Sequence, residues 1–270
     1  MADNKADAFR TSYAELYDRY LVPLQFTPYA IVTAERAKAF GPRSILELAA
    51  GTGIASQELA RILSPDVTIT ATDLNEPMID RAKTKEGIGR VVWRQADALN
   101  LPLPDNSFDL IVCQFGVMFF PDKQASFREA LRVLRPGGTY LFVVWDDWAT
   151  MPEGPLAIAA DVVSILLGCT PASLVNPPYY DEDTIQEDLR AANLQSIKIE
   201  RIARPAEASS AREAAVATVH GSLIRTVIDA SSPSRLGEAT DAVERAFREK
   251  FGNGKIHGTT HALVVTSQKA

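Results

Sequence analysis

Ile45-Leu-Glu47-Leu-Ala-Ala-Gly51-Thr-Gly53-Ile54 is the stretch that decides the fold, because an apolar strand runs there into a tight turn and then into a helix. The two glycines let the backbone of the turn approach a ligand where a Cβ would collide. A helix that begins at such a turn points free N–H groups into it, which favours an anion such as a carboxylate or a phosphate. The stretch therefore predicts a ligand site at the carboxyl end of a strand.

Short apolar runs alternate with helical segments on both sides of this stretch, from about residue 41 to residue 145. The predicted strands are 44–48, 67–73, 90–95, 108–114 and 139–145, and the predicted helices between them are 54–63, 76–86 and a helix capped by Asp122 that ends at Val133. Strands and helices that alternate at this spacing indicate a parallel sheet covered on both faces. We therefore expect an α/β fold with a doubly wound, mostly parallel sheet.

The remaining segments are richer in helix. Helices are predicted at 6–20 (closed by Pro23), from Pro28 to Gly41, and near 155–168, 182–192, 207–229 and 237–250, with strands near 195–202 and 260–267. We interpret the chain as one domain, with a lid at 1–40, a core at 41–145, a helical cap at 146–194 and 205–257, and the last strands at 195–204 and 258–268. A separate C-terminal domain is the alternative, which the late strands disfavour.

Composition excludes several classes of protein. The 270 residues are 46% hydrophobic and 23% charged, as in soluble globular proteins. No apolar run approaches the roughly 20 residues that span a bilayer, and the N-terminus has no secretory-signal pattern. Two cysteines, Cys113 and Cys169, fit a reducing cytoplasm and no disulfide framework. A net charge of −6 disfavours a nucleic-acid partner.

Two acids beside the glycine turn indicate which ligand binds there. Asp73 ends the next predicted strand, 20 residues after Gly53, where its carboxylate can accept hydrogen bonds from both hydroxyls of a ribose. Glu47 lies four residues before Gly51, and Ser56 stands where a dinucleotide fingerprint has its third glycine. Like charges 4 Å apart repel by about 4 kcal/mol at intermediate dielectric, so Glu47 disfavours a pyrophosphate. The cationic methionine end of S-adenosylmethionine (SAM) suits this acidic turn better.

Two further strand ends add candidate contacts. Asp97 and Ala98 follow the third predicted strand, where the Asp97 carboxylate can accept a bond from an adenine amino group and the Ala98 N–H can donate to the ring. Gln114 leaves the fourth strand and is predicted to lie near the reacting sulfur. The simpler alternatives are that Asp73 caps the next helix and that backbone N–H groups satisfy Asp97.

The motifs together resemble those of the class I SAM-dependent methyltransferases, and most closely the type that acts in ubiquinone and menaquinone biosynthesis. They are ELAAGTG at 47–53, ATDL at 71–74, ADAL at 96–99, PDNSFD at 104–109 and LRPGG at 134–138. The resemblance covers residues 44–145 and implies a seven-stranded sheet with an antiparallel last strand. It also implies three sets of cofactor contacts: Glu47, Ala49, Gly51 and Gly53 at the methionine end, Asp73, Leu74 and Met78 at the ribose and one adenine face, and Asp97 and Ala98 at the adenine edge. Ala49 departs from the glycine of the pattern and is expected to narrow the turn slightly.

The predicted function is methyl transfer from SAM to a small molecule, without a metal. No catalytic side chain is obligatory, and His220 is the candidate base if the acceptor must lose a proton; a structural histidine is the alternative. The apolar helix at 155–168 must bury more than one face, so it either lines a lipophilic or aromatic acceptor pocket or forms a homodimer interface. A nucleotide-dependent oxidoreductase and a non-catalytic SAM-binding protein are the alternative functions.

Overall fold

The computed structural model describes residues 13–175 and 179–270, and seven strands within these ranges form one sheet. The strands are β1 (Ser44–Glu47), β2 (Thr68–Asp73), β3 (Val91–Gln95), β4 (Phe108–Gln114), β5 (Leu134–Trp145), β6 (Leu194–Ala208) and β7 (Ile256–Lys269). Their order across the sheet is β3-β2-β1-β4-β5-β7-β6, so the strand order reverses at β1. Ligands of open α/β sheets bind outside the carboxyl ends of the strands at such a reversal.

Most neighbouring strands run parallel. β1 pairs in parallel with β2 and with β4, β2 pairs with β3, and β4 pairs with β5. β7 runs antiparallel to β5, from Thr139 opposite Gln268 to Trp145 opposite Ala262. The predicted doubly wound, mostly parallel seven-stranded sheet with an antiparallel last strand is confirmed.

The two central strands are buried on both faces. Ile45 and Leu46 of β1 and the run Leu110–Cys113 of β4 have no exposed surface. Successive side chains of a strand point to opposite faces, so a continuous buried run requires a cover on each face. The edge strand β3 differs, because Val92 is 51% exposed.

The chain divides into two compact units. The sheet unit comprises Tyr29–Asp146, Pro178–Ile202 and Ala262–Ala270. The helical unit comprises the residues up to Pro28 together with Asp147–Pro177 and Ala203–His261. The prediction that the helical segments cap the sheet, and that the chain is a single domain, stays a prediction.

The helices fall into two groups that follow these units. Those of the sheet unit are α2 (Thr27–Ala39), α3 (Ile54–Ile62), α4 (Glu76–Lys83), α5 (Lys123–Val133) and α7 (Glu182–Ala191). Those of the helical unit are α1 (Tyr17–Phe26), α6 (Pro155–Leu167), α8 (Ala211–His220), α9 (Leu223–Ser231) and α10 (Leu236–Phe251). Most predicted helices are confirmed within a few residues, and the cap of α5 is as predicted, because the Asp122 carboxylate accepts a hydrogen bond from the Ala125 N–H.

The packing of helix α6 within the helical unit accounts for much of its apolar sequence. It packs against both α8 and α10 and contributes Leu156, Ala159 and Val163 to the buried core there. An apolar helix between two others must be apolar on more than one face. Ile165 lies outside this core and is 83% exposed.

The prediction that Pro23 ends the first helix is wrong. The helix predicted at 6–20 begins outside the described residues, and the described part continues through Pro23 as α1, which is wound as a π-helix. A proline ring collides with the carbonyl four residues back in an α-helix, whereas π hydrogen bonds reach five residues back and the turn is wider. The wider turn thus accommodates Pro23 without ending the helix.

Two further boundaries differ from prediction. The helix predicted at 207–229 is two helices, because the Ser222 hydroxyl caps α9 by accepting a bond from the Ile224 N–H and leaves Gly221 between them. Residues 135–138, which precede the strand predicted at 139–145, belong to β5. The register against β4 shifts between Phe108 and Leu110, so these residues form a bulge in the strand.

No described helix is both long and apolar enough to cross a membrane.

Candidate cofactor site

The glycine turn after β1 is anchored to both neighbours of that strand. The Leu48 N–H donates to the Val112 carbonyl of β4, and the Ala50 N–H donates to the Thr72 carbonyl of β2, at 2.8 and 2.9 Å. The turn therefore lies at the carboxyl edge of the sheet, at the reversal of strand order, where the sequence placed the ligand.

The two glycines of the turn serve different purposes. Both lie in the left-handed region, with φ of 55° at Gly51 and 79° at Gly53, which only glycine adopts freely. A Cβ built on Gly53 would stand 2.7 Å from the Trp93 ring, whereas a Cβ on Gly51 would meet no atom within 4 Å. Gly53 is thus required by packing, and Gly51 leaves open space in front of the turn.

Helix α3 begins directly after this turn without a side-chain cap. Gly53 is its N-cap residue and has no side chain that could accept a hydrogen bond from the first-turn N–H groups. The hydroxyl of the neighbouring Thr52 is buried and has no hydrogen-bond partner among the described residues. Uncapped N–H groups and a free hydroxyl beside the open face of Gly51 can serve a bound carboxylate.

Asp73 ties the glycine turn to the turn after β2. One carboxylate oxygen accepts a hydrogen bond from the Gly51 N–H at 2.7 Å, and the other accepts one from the Asn75 N–H at 2.8 Å. Burial raises the pKa of Asp73, and these backbone hydrogen bonds oppose the rise. The N-cap residue of α4 is Asn75, so Asp73 does not cap that helix. Carboxylate oxygens are the kind of acceptor that a ligand hydroxyl needs.

Glu47 is a buried carboxyl at the end of β1. Only 1% of the residue is exposed, and the Ser56 hydroxyl of α3 donates a hydrogen bond to its Oε2. Burial raises the pKa of Glu47 to about 8, and the Ser56 hydrogen bond acts against this rise. The nearby charges have opposite effects, because Asp73 raises the pKa further and Lys85 lowers it. The carboxyl is thus poised to change its charge when a charged ligand arrives.

The predicted adenosine contacts lie on two neighbouring strand ends. Leu74 follows β2 and is 62% exposed, and Met78 on α4 is half-buried. Asp97 is exposed and accepts a hydrogen bond from the Leu99 N–H at 2.9 Å, and Ala98 is buried. One Asp97 oxygen is therefore bonded to a backbone N–H of its own loop, as in the simpler alternative.

Gln114, at the end of β4, is held by helix α2. The buried Thr33 hydroxyl donates to the Gln114 Oε1 at 3.0 Å. Next to it, Phe115 stacks on Trp145 with ring centroids 3.9 Å apart, and Tyr29 meets both rings edge-on. Phe115 has a φ of 57°, a rare conformation for a bulky residue, so this aromatic cluster holds a strained backbone at the carboxyl ends of β4 and β5.

Comparison with known proteins identifies this arrangement. Residues 46–142 match the methyltransferase domain family. The chain therefore carries a methyltransferase domain over these residues. It is 37% identical over 128 residues to the ubiquinone/menaquinone biosynthesis C-methyltransferase UbiE of Saccharophagus degradans. The aligned residues cover 46% of this chain and 50% of that protein. The chain thus spans about half the length of the curated relatives it matches.

Solved structures agree on the fold of this methyltransferase domain. A putative methyltransferase from Bacillus halodurans superposes with a TM-score of 0.57 at 17% identity, covering 88% of this chain and 98% of that one. The cyclase SpnF superposes with a TM-score of 0.57 at 20% identity, covering 90% of this chain and 81% of that one. At these identities the likeness shows the fold alone, and the two names differ in the reaction they describe.

The methyltransferase domain brings the sequence-predicted residues together at one sheet edge in two groups. Glu47, Gly51 and Asp73 form a connected set through hydrogen bonds or charge. The residues predicted to contact the adenosine, Leu74, Met78, Asp97 and Ala98, follow the ends of β2 and β3. These two strands pair in parallel from Ile69 opposite Val91 to Asp73 opposite Gln95.

His220 belongs to the helical unit. Its Nε2 lies 3.0 Å from the Thr240 hydroxyl, and its Nδ1 lies 3.5 Å from the Arg225 guanidinium. Burial lowers the pKa of His220, and the positive charge of Arg225 lowers it further. The lowered pKa favours the neutral ring, and the neighbouring side chains hold the ring in place. Its assignment as a base stays a proposal.

The other two histidines lie within β7. His257 is exposed, and its Nδ1 lies 3.3 Å from the Glu207 carboxylate. The backbone N–H of His261 donates to the sulfur of Met151. Within residues 13–175 and 179–270, no three metal-ligating side chains cluster.

Sequence reasoning missed Ser56, Thr33 and the aromatic cluster. Ser56 entered only as the absence of a third glycine, although its place in the first turn of α3 could have suggested a contact with the preceding strand. Thr33 bonds to a residue 81 positions away, and no local pattern predicts such a pair.

Proposed function

We propose that this protein is an enzyme that transfers a methyl group from SAM to a small lipophilic or aromatic molecule. The buried Glu47 carboxyl beside the open face of Gly51 is the observation on which this proposal depends. A bound cation favours the ionised form of a carboxyl at that point and is then attracted by it, whereas a pyrophosphate disfavours the ionised form. Among adenosine-containing ligands, SAM has a cationic end.

The donor set of the site fits SAM. Glu47 would meet the cationic methionine end, and the uncapped start of α3 would hold the carboxylate. Asp73 would accept hydrogen bonds from the ribose hydroxyls, and the exposed Leu74 side chain, with Met78, would cover the adenine. Asp97 and Ala98 would bind the adenine edge, and Ala49 and Gly53 would shape the turn. When bound, SAM supplies a methyl group on a sulfonium that a nucleophile of the acceptor attacks in line.

The chain's own contribution is alignment and exclusion of water, which can supply much of the rate acceleration. Gln114, fixed by Thr33, stands at the end of β4 beside the aromatic cluster and would lie on the acceptor side of the site. A base is required only if the acceptor must lose a proton. His220 is then our proposal for the base.

Two observations support a lipophilic or aromatic acceptor. Phe115 and Trp145 place a stacked aromatic pair at the carboxyl edge of the sheet. The relative UbiE is named as a C-methyltransferase of ubiquinone and menaquinone biosynthesis.

We further propose a cytoplasmic location and no nucleic-acid partner. The net charge of −6 supports the second of these proposals. The exposed Ile165 of α6 fits the alternative of a homodimer interface.

Calorimetric titration tests the cofactor. The protein is expected to bind SAM and S-adenosylhomocysteine and to ignore NAD. Binding of NAD in place of SAM would establish the oxidoreductase alternative and overturn the proposal.

An acceptor panel tests the reaction. Apolar aromatic, apolar aliphatic and polar acceptors of similar size are incubated with SAM, and formation of S-adenosylhomocysteine is followed. We expect turnover with the apolar members, and turnover with polar acceptors only would exclude the proposed acceptor class.

A protein that binds SAM without transferring its methyl group is the second candidate. The cyclase SpnF supports it, because a chain of the same fold is named for a different reaction. Tight SAM binding with no S-adenosylhomocysteine formed from any acceptor would favour this candidate.

A further inference from the structure

Ser56 is the third residue of α3, at the position where a dinucleotide-binding turn has its third glycine. The residue has no exposed surface, and its hydroxyl donates to Oε2 of Glu47. A glycine there would allow close packing, and an alanine would suit a helix better than a serine. Neither would supply a donor to the carboxyl at the end of β1.

The Glu47 carboxyl depends on this one hydroxyl. Among the described residues, no other group donates a hydrogen bond to it, and the nearby Asp73 carboxylate disfavours its charged form. A buried carboxyl that loses its only donor is costly, and an ion or dipole pair of this kind does not by itself make a fold more stable than apolar packing would. The Ser56–Glu47 pair is therefore better explained by a role in ligand binding than by a role in stabilising the core.

We infer that Ser56 is a positioning residue for the cofactor. Its hydroxyl occupies Oε2 of Glu47 and leaves Oε1 available to the cationic methionine end of SAM. This inference rests on the proposed function, and it concerns only the amino-acid half of the cofactor. It gives no role to Ser56 in binding the adenosine half, which Asp73 and the strand ends of β2 and β3 would hold.

Ligands that differ in the amino-acid half test the inference. SAM and S-adenosylhomocysteine have the ammonium group, and 5′-methylthioadenosine has the adenosine without it. The wild type, Ser56→Ala and Ser56→Cys are titrated with each ligand by calorimetry. Ser126→Ala is the matched control, because Ser126 is also a fully buried helical serine, and its hydroxyl donates to the Lys123 carbonyl at 2.7 Å.

We expect Ser56→Ala to weaken SAM and S-adenosylhomocysteine by about tenfold or more, the effect of losing a hydrogen bond to a charged group. The affinity for 5′-methylthioadenosine should stay within about twofold. Ser56→Cys keeps the size and a weak donor, so the same selective loss should be smaller. Ser126→Ala should bind all three ligands as the wild type does.

Three outcomes would overturn the inference. They are unchanged affinities in Ser56→Ala, an equal loss for all three ligands, and a selective loss in the Ser126→Ala control. If Ser56→Ala does not fold, Ser56→Cys decides alone: a selective loss supports the positioning role, and a uniform loss or none overturns it. A wild type that binds none of the SAM-like ligands would instead overturn the proposed function, before any variant is compared.

Discussion

The methyl group of Ala49 lies against Gly116, so closely that a Cβ on Gly116 would stand 2.5 Å from it. Ala49 has a φ of 51°, in the left-handed region that favours glycine, so the turn after β1 holds a strained alanine. The turn after β4 accommodates the methyl group only because residue 116 has no side chain. The departure from the glycine pattern at position 49 is thus matched by a glycine 67 residues later.

Replacement of Gly116 by alanine should destabilise the protein by about 1–3 kcal/mol through overpacking. The new methyl group would also stand 2.7 Å from the Cys113 sulfur, so Ala49→Gly in the same chain should restore only part of the loss. Urea unfolding of both single variants and the double variant measures the coupling. Strictly additive effects would contradict the contact.

Substitutions at the two glycines of the turn should affect protein stability and SAM affinity to different extents. Gly51→Ala and Gly53→Ala both place a side chain in the left-handed region, at a cost of about 1–2 kcal/mol. Gly53→Ala adds the collision with Trp93, so it should be the less stable of the two. Gly51→Ala should fold, as Ala49 does at a similar φ, and should lose SAM affinity because its methyl group enters the open face. Thermal unfolding and calorimetry of both variants check this order, and the reverse order would contradict it.

Asp73→Asn should weaken SAM binding by about 1.5–3 kcal/mol, because one of two acceptor oxygens becomes a donor that opposes the N–H groups of Gly51 and Asn75. Asp109→Asn is the matched control, since Asp109 also accepts backbone N–H bonds, from Arg43 and Ser44, but at the start of β1. The control should lose stability and keep its affinity for SAM. Equal affinities in wild type and a folded Asp73→Asn would exclude the ribose role.

Leu74→Ala should affect the ligand and not the fold. A side chain that is 62% exposed contributes little to stability, so the unfolding free energy should stay within about 0.5 kcal/mol of the wild type. Loss of the apolar cover on the adenine should weaken SAM by roughly 1 kcal/mol. Val92→Ala, on the exposed edge strand β3, is the control and should change neither quantity. A Leu74→Ala variant that is destabilised but binds SAM normally would contradict the role of Leu74 as the cover on the adenine.

Stability without ligand should fall as the pH rises from 6.5 to 8. Unfolded Glu47 is ionised in this range, whereas the folded carboxyl, with its pKa raised to about 8, still holds a proton. The folded state therefore binds more protons, and the unfolding free energy should drop by up to ~1.4 kcal/mol per pH unit.

The lowered pKa of His220 has the opposite effect, because the unfolded histidine takes up a proton first, and this effect fades as the pH rises above about 6.5. Chemical unfolding of wild type and Glu47→Gln at several pH values between 6.5 and 8 therefore isolates the contribution of Glu47. Glu47→Gln keeps an acceptor for Ser56 and cannot ionise, so its profile should be flatter. Parallel profiles for wild type and Glu47→Gln would show that Glu47 is not the group responsible.

The sequence alone determined the sheet and the cofactor edge. Strand β1, the glycine turn and helix α3 follow one another within about twenty residues, and the periodicity of such a segment is set by its own side chains. The positions of Glu47, Gly51 and Asp73 at adjacent strand ends followed from the same rule, since parallel strands that alternate with helices end at one edge.

Only the tertiary structure decided which groups those residues bond to. The pairs Ser56–Glu47, Thr33–Gln114 and Ala49–Gly116 join elements that are distant in sequence or separated by a turn, and local propensity contains no information about them. The continuation of α1 through Pro23 and the split between α8 and α9 were also decided by competing hydrogen bonds that a periodic pattern does not distinguish. Side-chain burial and pairing arise when distant segments pack, and the charge state of Glu47 depends on that packing.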